Sequence, residues 1–152
     1  MHNQHIHSIT IIGAGTMGNG IAHVCAMAGF PVKLMDNSEE QLRIALQTIE
    51  KNLTRMAEKQ KIKPIEVGSS LARIQTFTDI KQAISDADMV LEVVPEQLSL
   101  KKQIWSQIEQ GIDPKRLKQT VFATNTSSIS ISELAEGVTH PENMIGMHFF
   151  NP

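Results

Sequence analysis

Hydrophobic and polar positions along this 152-residue chain follow two alternating spacings. Short apolar runs such as "SITII" and "MVLEVV" are typical of buried strands, whereas longer stretches with an apolar residue every three or four positions indicate amphipathic helices. The two patterns alternate along nearly the whole chain. This alternation predicts an α/β fold, with a doubly wound, mostly parallel sheet covered by helices on both faces.

The predicted strands are short stretches with a mostly apolar core, and in chain order they are "HSITII", "FPVKLMD", "LARIQTF", "ADMVLEVV", "QTVFATN" and "ENMIGMHF". The predicted helices are "TMGNGIAHVCAMAG", "SEEQLRIALQTIEKNLTRMAEKQKI", "TDIKQAISD", "LSLKKQIWSQIEQGI" and "SISELAEGV". Ser38 is the expected N-cap of the longest helix, since its hydroxyl can accept a hydrogen bond from the first turn. We predict that "KPIEVGSS" is a loop.

The stretch between the first strand and the first helix, "IIGAGTMGNG", contains Gly13, Gly15 and Gly18 in the G-x-G-x-x-G spacing. In this context Gly13 permits a tight turn, Gly15 lets a pyrophosphate approach the backbone, and Gly18 lets the helix pack closely on the strand. Free N–H groups at the helix start, where Thr16 and Met17 lie, bind phosphates. The motif predicts a Rossmann dinucleotide-binding domain; the alternative is a tight turn without a ligand.

The second predicted strand ends at Asp36, 18 residues after Gly18. A carboxylate at this position accepts hydrogen bonds from the adenine-ribose hydroxyls and repels a 2′-phosphate. NAD is therefore favoured over NADP. FAD domains share the glycine spacing and remain open at this point, and so does a simpler role for Asp36 as a turn or helix-capping residue.

Composition narrows the possible partners. A formal net charge of −2 gives no electrostatic reason to expect nucleic acid or an anionic membrane. The single cysteine, Cys25, forms no internal disulfide, which suits a reducing, cytoplasmic location. His2, His5 and His7 near the N-terminus are better explained as a solvated arm than as metal ligands, because no cysteine or carboxylate stands beside them. We predict no metal site.

Four stretches in order, "GAGTMGNGIA", "EVVPEQLSLK", "ATNTSSISI" and "GMHFFNP", resemble the L-3-hydroxyacyl-CoA dehydrogenase family, including its 3-hydroxybutyryl-CoA members. The resemblance spans residues 1–152 and implies that they form the NAD-binding Rossmann domain of such an enzyme. It further implies reversible, NAD-dependent oxidation of a 3-hydroxyacyl-CoA to a 3-oxoacyl-CoA, in fatty-acid or butanoate metabolism.

The same resemblance implies roles for individual residues. His148 would be the catalytic base, Ser127 would hold the substrate oxygen, and Asn125 would lie beside Ser127. Glu96 and Lys101 would contact the cofactor near its nicotinamide half. Simpler readings remain open, namely a buried core histidine for His148 and a solvated helix start for Glu96 and Lys101.

Two further alternatives concern neighbouring residues. Ser127 and Ser128 could cap the short helix that begins near Ser130. Glu92 lies within a predicted strand, where a structural role is expected.

The resemblance also implies a site for coenzyme A. Asn52, Lys59, Ser127 and Asn151 occupy the matching positions. Lys51, Arg55 and Lys59 are spaced i, i+4, i+8 along one face of the long helix, where they could hold phosphates. The alternative is an ordinary solvated basic face.

Family members continue beyond "HFFNP" into a second, mostly helical domain, which supplies a glutamate partner for the catalytic histidine and the interface of a homodimer. We therefore expect this chain to be the NAD-binding half and to be poorly active alone. Two alternatives remain: a domain of another NAD-dependent hydroxy-acid dehydrogenase, and a stand-alone NAD-binding regulatory module.

Overall fold

A computed structural model describes residues 5–150. Its centre is a six-stranded sheet in which every neighbouring pair of strands is parallel. The strands are β1 (Ile9–Ile12), β2 (Val32–Met35), β3 (Ile74–Phe77), β4 (Met89–Glu92), β5 (Val121–Thr124) and β6 (Met144–Gly146). Their spatial order is β3-β2-β1-β4-β5-β6. The predicted doubly wound, Rossmann-type α/β fold is confirmed.

Helices cover both faces of this sheet. They are α1 (Thr16–Met27), α2 (Glu39–Glu58), α3 (Pro64–Leu71), α4 (Ile80–Ile84), α5 (Leu98–Gly111), α6 (Pro114–Leu117) and α7 (Ile131–Ala135), with a 3₁₀ turn at Pro141–Asn143. One buried cluster joins α1 and α2 to the first face. A second joins α4, α5 and α7 to the other face and contains Trp105 against Phe122, with ring centroids 5.2 Å apart.

The strand order reverses between β1 and β4, and this reversal defines where a ligand fits. Ile12, at the end of β1, is in register with Met35 of β2 and with Glu92 of β4. Glu92 is in turn level with Thr124 of β5. The carboxyl ends of four central strands therefore lie at one level, where connections leaving β1 and β4 in opposite directions open a crevice.

One local prediction was wrong, and one short helix was missed. "KPIEVGSS" lies mostly in helix α3 instead of a loop, because Pro64 occupies the first helical position and the Lys63 N–H donates to Glu66 Oε2 at 2.7 Å, which together start a helix. Val67 and Leu71 of this helix pack against the first core cluster. The short helix α6 between α5 and β5 was not predicted.

Other elements are shorter than predicted. Helix α2 begins at its predicted cap, since Ser38 Oγ accepts from the Gln41 N–H at 3.2 Å, but it ends at Glu58. Gln60 follows with φ 56°, a left-handed conformation that ends a helix. Strand β6 ends at Gly146, so that His148 lies beyond it. Among residues 5–150, no helix is both long enough and apolar enough to cross a membrane.

Candidate active site

A cleft of about 1060 Å³ opens at the carboxyl ends of the strands. Its walls come from the glycine turn and start of α1, the end of β2, the start of α2, the segment after β4, one face of α5, and the segments after β5 and β6. The volume is that of a site for a large organic ligand. The cleft lies where the strand order predicts a ligand.

The glycine turn forms the floor of this cleft. Gly13 has φ 110°, and a Cβ there would stand 2.7 Å from the Val93 carbonyl oxygen. A Cβ on Gly18 would lie 1.8 Å from the Gly13 carbonyl oxygen, so α1 packs directly on the turn. Gly15, in contrast, has no atom within 4 Å of where its Cβ would be. Two glycines are therefore required by the protein itself, and the third keeps space open towards the cleft.

The Ala14 peptide groups between these glycines are held by a side chain that directly follows β2 and by one from α2. Asp36 Oδ2 accepts from the Ala14 N–H at 3.0 Å, and the Gln41 side-chain amide donates to the Ala14 carbonyl at 3.0 Å. Asp36 Oδ1 also accepts from the Ser38 N–H at 3.0 Å. Asp36 thus has the suggested turn role, and it also lines the cleft.

The segment after β5 turns around one carboxylate oxygen. Glu96 Oε1 accepts from the N–H groups of Ser127 and Ser128, both at 3.2 Å, and of Ile129 at 3.3 Å. The hydroxyls of Thr126 and Ser128 donate to the same oxygen. Glu96 is therefore more than a solvated helix start: it organises the turn 126–129.

These contacts determine the charge of Glu96. Partial desolvation alone would raise the pKa of this carboxyl. The hydrogen bonds from Thr126, Ser128 and Ile129 and the nearby Lys101 ammonium favour the ionised form more strongly, and they lower the pKa of Glu96 to about 2. Glu96 is thus a carboxylate at any physiological pH.

Lys101 and Glu92 form a buried ion pair beneath this turn. Their side chains are 1% and 0% exposed, and Lys101 Nζ lies 2.6 Å from Glu92 Oε1. The ammonium also donates to the Val94 carbonyl at 3.1 Å and lies 3.6 Å from Glu96 Oε2. Glu92 accepts in addition from the Val94 N–H at 2.8 Å and from Thr124 Oγ1 at 2.7 Å. Every charged group here has partners.

The segment beyond β6 brings His148 to the cleft. The Phe149 N–H donates to Asn125 Oδ1 at 2.7 Å, which ties this segment to the end of β5. The His148 ring is exposed and stands edge-on to Phe150, with centroids 4.6 Å apart. The reading of His148 as a buried core histidine is therefore wrong.

The structure brings together most of the residues that the sequence singled out. Those lining the cleft are Gly13, Gly15, Thr16, Met17, Asp36, Glu96, Asn125, Ser127 and His148. Gly18 and Lys101 lie behind its wall. Ser127 and Ser128 do not cap α7, because Ser130 Oγ accepts from the Glu133 N–H.

Two of the predicted coenzyme A residues, Asn52 and Lys59, lie outside the cleft. Asn52 and Lys59 are exposed near the end of α2, and they are absent from the lining of the cleft. At a rise of 1.5 Å per residue, Lys59 is roughly 30 Å along the helix axis from Glu39. Asn151 lies outside the described residues, as does His2.

Comparison with known proteins decides the family. Residues 8–152 match the family described as "3-hydroxyacyl-CoA dehydrogenase, NAD binding domain". The chain belongs to this family. The family predicted from the sequence is therefore confirmed, and with it the NAD-binding domain as the function of this part of the molecule.

Three similar proteins illustrate the match. The 3-hydroxybutyryl-CoA dehydrogenase of Escherichia coli superposes with a TM-score of 0.91 at 38% identity, over 97% of this chain and 30% of that one. A probable 3-hydroxyacyl-CoA dehydrogenase of Caenorhabditis elegans is 37% identical over 98% of this chain and 50% of its own length. The fatty acid oxidation complex subunit alpha of Acinetobacter baumannii is 35% identical over 97% of this chain and 20% of its own length. The chain thus spans between a fifth and a half of these relatives.

The 3-hydroxyacyl-CoA dehydrogenase NAD-binding domain described here has residues that fit its cofactor. The open space above Gly15 leaves room for a pyrophosphate, and the first N–H groups of α1 have no partner within the helix. Asp36 lines the cleft at the end of β2, where a ribose is expected. NAD, the cofactor named by the family, is the one predicted from the sequence.

Sequence reasoning overlooked several residues of this dehydrogenase domain. Gln41 and Thr126 hold the two turns that shape the cleft, and Thr124 donates to Glu92 of the buried ion pair. Glu92 itself was expected to have a structural role, and its ion pair with Lys101 agrees with that expectation. The sequence offers no signal for Gln41, whose contact spans 27 residues.

Proposed function

We propose that the chain is the NAD-binding half of an L-3-hydroxyacyl-CoA dehydrogenase that interconverts 3-hydroxyacyl-CoA and 3-oxoacyl-CoA. The observation that carries the proposal is one shared cleft. Its lining includes the phosphate-binding turn at one end and Asn125, Ser127 and His148 at the other. One cavity would then hold both the nucleotide and the side chains of Asn125, Ser127 and His148.

The roles of the reacting residues follow from their chemistry. His148 accepts the proton of the 3-hydroxyl in the oxidation, since an imidazole nitrogen can act as a general base and this residue is exposed and lines the cleft. The Ser127 hydroxyl donates to the substrate oxygen. Among residues 5–150 that hydroxyl has no hydrogen-bond partner, while the N–H of Ser127 is held by Glu96. Bound NAD would supply the hydride acceptor.

Asn125 has a positioning role in this scheme. Its side-chain oxygen accepts the Phe149 N–H at 2.7 Å, next to His148, while its own N–H donates to the Glu92 carbonyl at 3.0 Å. The residue therefore joins the histidine segment to strand β4. Such a bond restricts where the imidazole can lie, as proton transfer over about 3 Å requires.

Cofactor binding is assigned to the turn and to the two neighbouring strand ends. Gly13, Gly15 and the N–H groups at Thr16 and Met17 hold the pyrophosphate, with Gly18 supporting the turn from behind. Further along the cleft, the cofactor meets Asp36 at the ribose, and Glu96, Asn125 and Ser127 near the nicotinamide. Lys101 is included in the proposed cofactor site because its ammonium lies beside the Glu96 carboxylate.

Coenzyme A binding is assigned to Asn52, Lys59, Ser127 and Asn151. The exposed positions of Asn52 and Lys59 on α2 support it, because a charged helix face can take phosphates without desolvating other groups. The rest of the proposal concerns the whole protein: a second, helical half, a homodimer formed through it, and a cytoplasmic location, for which the reducing environment suited to Cys25 is the support.

A paired binding and activity assay tests the proposal. NADH titrated into the chain should bind at least about tenfold more tightly than NADPH, because Asp36 repels a 2′-phosphate. Acetoacetyl-CoA reduction should be slow, below the roughly 1 per second of ordinary enzymes, since among residues 5–150 no carboxylate forms an ion pair with His148.

The variant His148→Ala separates the two parts of the claim. It should abolish residual turnover. Its NADH affinity should stay within about threefold of the unaltered chain, because His148 lies at the reacting end of the cleft and its loss removes no contact to the phosphates or the ribose. Residual turnover that survives His148→Ala would refute the role of His148. Absence of NADH binding by the unaltered chain would refute the proposed function as a whole.

A further inference from the structure

The turn 126–129, which carries Ser127, donates its hydrogen bonds to a residue in a different loop of the sheet. Its three successive N–H groups, of Ser127, Ser128 and Ile129, all point at Glu96 Oε1. Glu96 itself follows β4, whereas the turn follows β5. The position of Ser127 therefore depends on where the loop after β4 holds one carboxylate.

The Glu96 carboxylate is itself held by the ammonium of Lys101. Lys101 Nζ lies 3.6 Å from Glu96 Oε2, whereas the turn donates to Oε1. The ammonium is fixed by Glu92 Oε1 at 2.6 Å and by the Val94 carbonyl at 3.1 Å. Three oxygens thus surround a group with three protons. Lys101 is 1% exposed and is not part of the cleft lining.

The contacts of Lys101 lead on to the central sheet. Glu92 closes β4, and Thr124, its register partner, closes β5. Thr124 Oγ1 donates to Glu92 Oε2 at 2.7 Å. The charged groups are therefore anchored to the ends of two adjacent strands of the sheet.

We propose that Glu92, Lys101 and Glu96 form a positioning relay that fixes the turn 126–129 and with it Ser127. Lys101, which is buried and outside the cleft lining, acts in this relay through Glu96. The role of Ser127 rests on the proposed function; the relay itself rests on the contacts above. Fully satisfied buried networks of this kind specify one arrangement where an apolar contact allows several.

Amide hydrogen exchange measured residue by residue by NMR tests the relay on the 152-residue chain. The double variant Glu92→Gln with Lys101→Met removes the ammonium without leaving a buried charge unpaired. We expect protection at Ser127, Ser128 and Ile129 to fall by about tenfold or more, the size expected for weakened hydrogen bonds to a charged group. Protection in β1 and β2 should change by less than about threefold.

Matched controls use neighbours that take no part in the relay. Lys102 lies beside Lys101 on α5 and is only partly buried, and Glu136 is an exposed carboxylate at the end of α7. Lys102→Met and Glu136→Gln should leave the exchange of the turn amides within about twofold of the unaltered chain.

Two further variants keep the test decisive if the double variant fails to fold. Glu96→Ala, at a partly exposed position, should remove turn protection as strongly as the double variant. Thr124→Val should lower the protection of the turn amides by a smaller factor, because it removes only the hydrogen bond from Thr124 to Glu92. Equal loss of protection across turn and sheet would overturn the relay, because that result describes a residue important only for overall stability. Unchanged turn protection in Glu96→Ala would overturn it directly.

An affinity measurement distinguishes this proposal from the proposed function. NADH binding by Glu96→Ala and by the double variant should weaken together. If the unaltered chain binds no NADH, the proposed function fails, while hydrogen exchange still decides on the relay. If NADH binds and the turn amides respond only to Glu96→Ala, Lys101 has no share in holding the turn, and the relay is refuted.

Discussion

Alanine substitutions at Gly15 and Gly18 should separate cofactor binding from folding. The two glycines belong to one turn motif, yet the structure gives them different surroundings. An added Cβ on Gly18 would lie 1.8 Å from the Gly13 carbonyl oxygen, whereas one on Gly15 would meet no atom within 4 Å. The same methyl group therefore causes a clash within the protein at one position and blocks ligand space at the other.

The magnitude at Gly18 follows from this clash. Real Cβ atoms essentially never approach closer than 3.0 Å to such an atom, so α1 or the turn has to move by more than 1 Å. Forced insertion of a methyl group typically costs about 1–3 kcal/mol, and here the opposing atom is backbone and cannot change rotamer. We expect Gly18→Ala to lose about 3 kcal/mol, which for a domain of this size lowers Tm by roughly 6–12 °C.

Gly15 has no comparable reason to be destabilised. Its φ of −67° and ψ of −166° are open to alanine, and the added methyl faces empty space. We expect the free energy of unfolding of Gly15→Ala to stay within about 1 kcal/mol of the unaltered chain, the usual range for losing a glycine N-cap. NADH affinity should fall by tenfold or more, because the methyl group occupies the approach of the pyrophosphate.

Urea unfolding followed by circular dichroism gives the stabilities, and NADH fluorescence titration gives the affinities. Gly20→Ala is the matched control, since a Cβ there also meets no atom within 4 Å and Gly20 is outside the cleft lining. The reasoning is refuted if Gly15→Ala binds NADH as well as the Gly20→Ala control does. Gly18→Ala with unchanged stability would equally contradict the packing argument.

Four further predictions concern single side chains. Asp36→Ala should weaken NADH binding by about tenfold and bring the NADH and NADPH dissociation constants closer together; an unchanged ratio would contradict the ribose contact. The folded-state pKa of Glu96, about 2, lies below its ordinary 4.5, so its stabilising effect is complete well above pH 4.5 and is lost as pH falls towards 2. The stability difference between the unaltered chain and Glu96→Gln, from urea titrations, should narrow over that range, and a constant difference would count against it. Burial raises the pKa of the Cys25 thiol, so its reaction with a thiol reagent at pH 8 should be several-fold slower in the folded chain than in urea. Asn125→Ala should release the Phe149 N–H and raise its exchange rate by roughly fivefold or more, with the sheet amides as internal reference.

The elements of this fold were predictable where local spacing decides them. The strand runs ending at Ile12, Met35, Glu92 and Thr124 are short and mostly apolar, and burial on both sides of a parallel sheet favours that pattern. The turn glycines were predictable for a similar reason, since the G-x-G-x-x-G spacing between a strand and a helix is itself a local pattern. Helix α3 was missed because its start depends on one capping bond, from Lys63 to Glu66, in a segment of weak periodicity.

The site was only partly predictable, because its contacts join distant parts of the chain. The bonds from the turn 126–129 to Glu96 span 30 or more residues, and so does the bond between Thr124 and Glu92. Periodicity and spacing report which residues lie near a strand end, but they do not say which side chains pair there. Family resemblance selected Glu96 and Lys101, yet it gave no account of the buried Glu92 that holds Lys101.

The two ends of the cleft are held in place by different kinds of contact. At the glycine turn, rigidity comes from backbone packing: Gly18 and Gly13 are in contact, and side chains directly after β2 and in α2 hold both peptide groups of Ala14. At the other end, Ser127 is fixed through a carboxylate and an ammonium. His148 extends beyond β6 with an exposed ring, next to a peptide held by Asn125. A pyrophosphate has the same shape in every turnover, and a stiff backbone site suits it. A reacting carbon requires alignment within tenths of an ångström, which side chains on separate strand ends achieve only when each is held by the next.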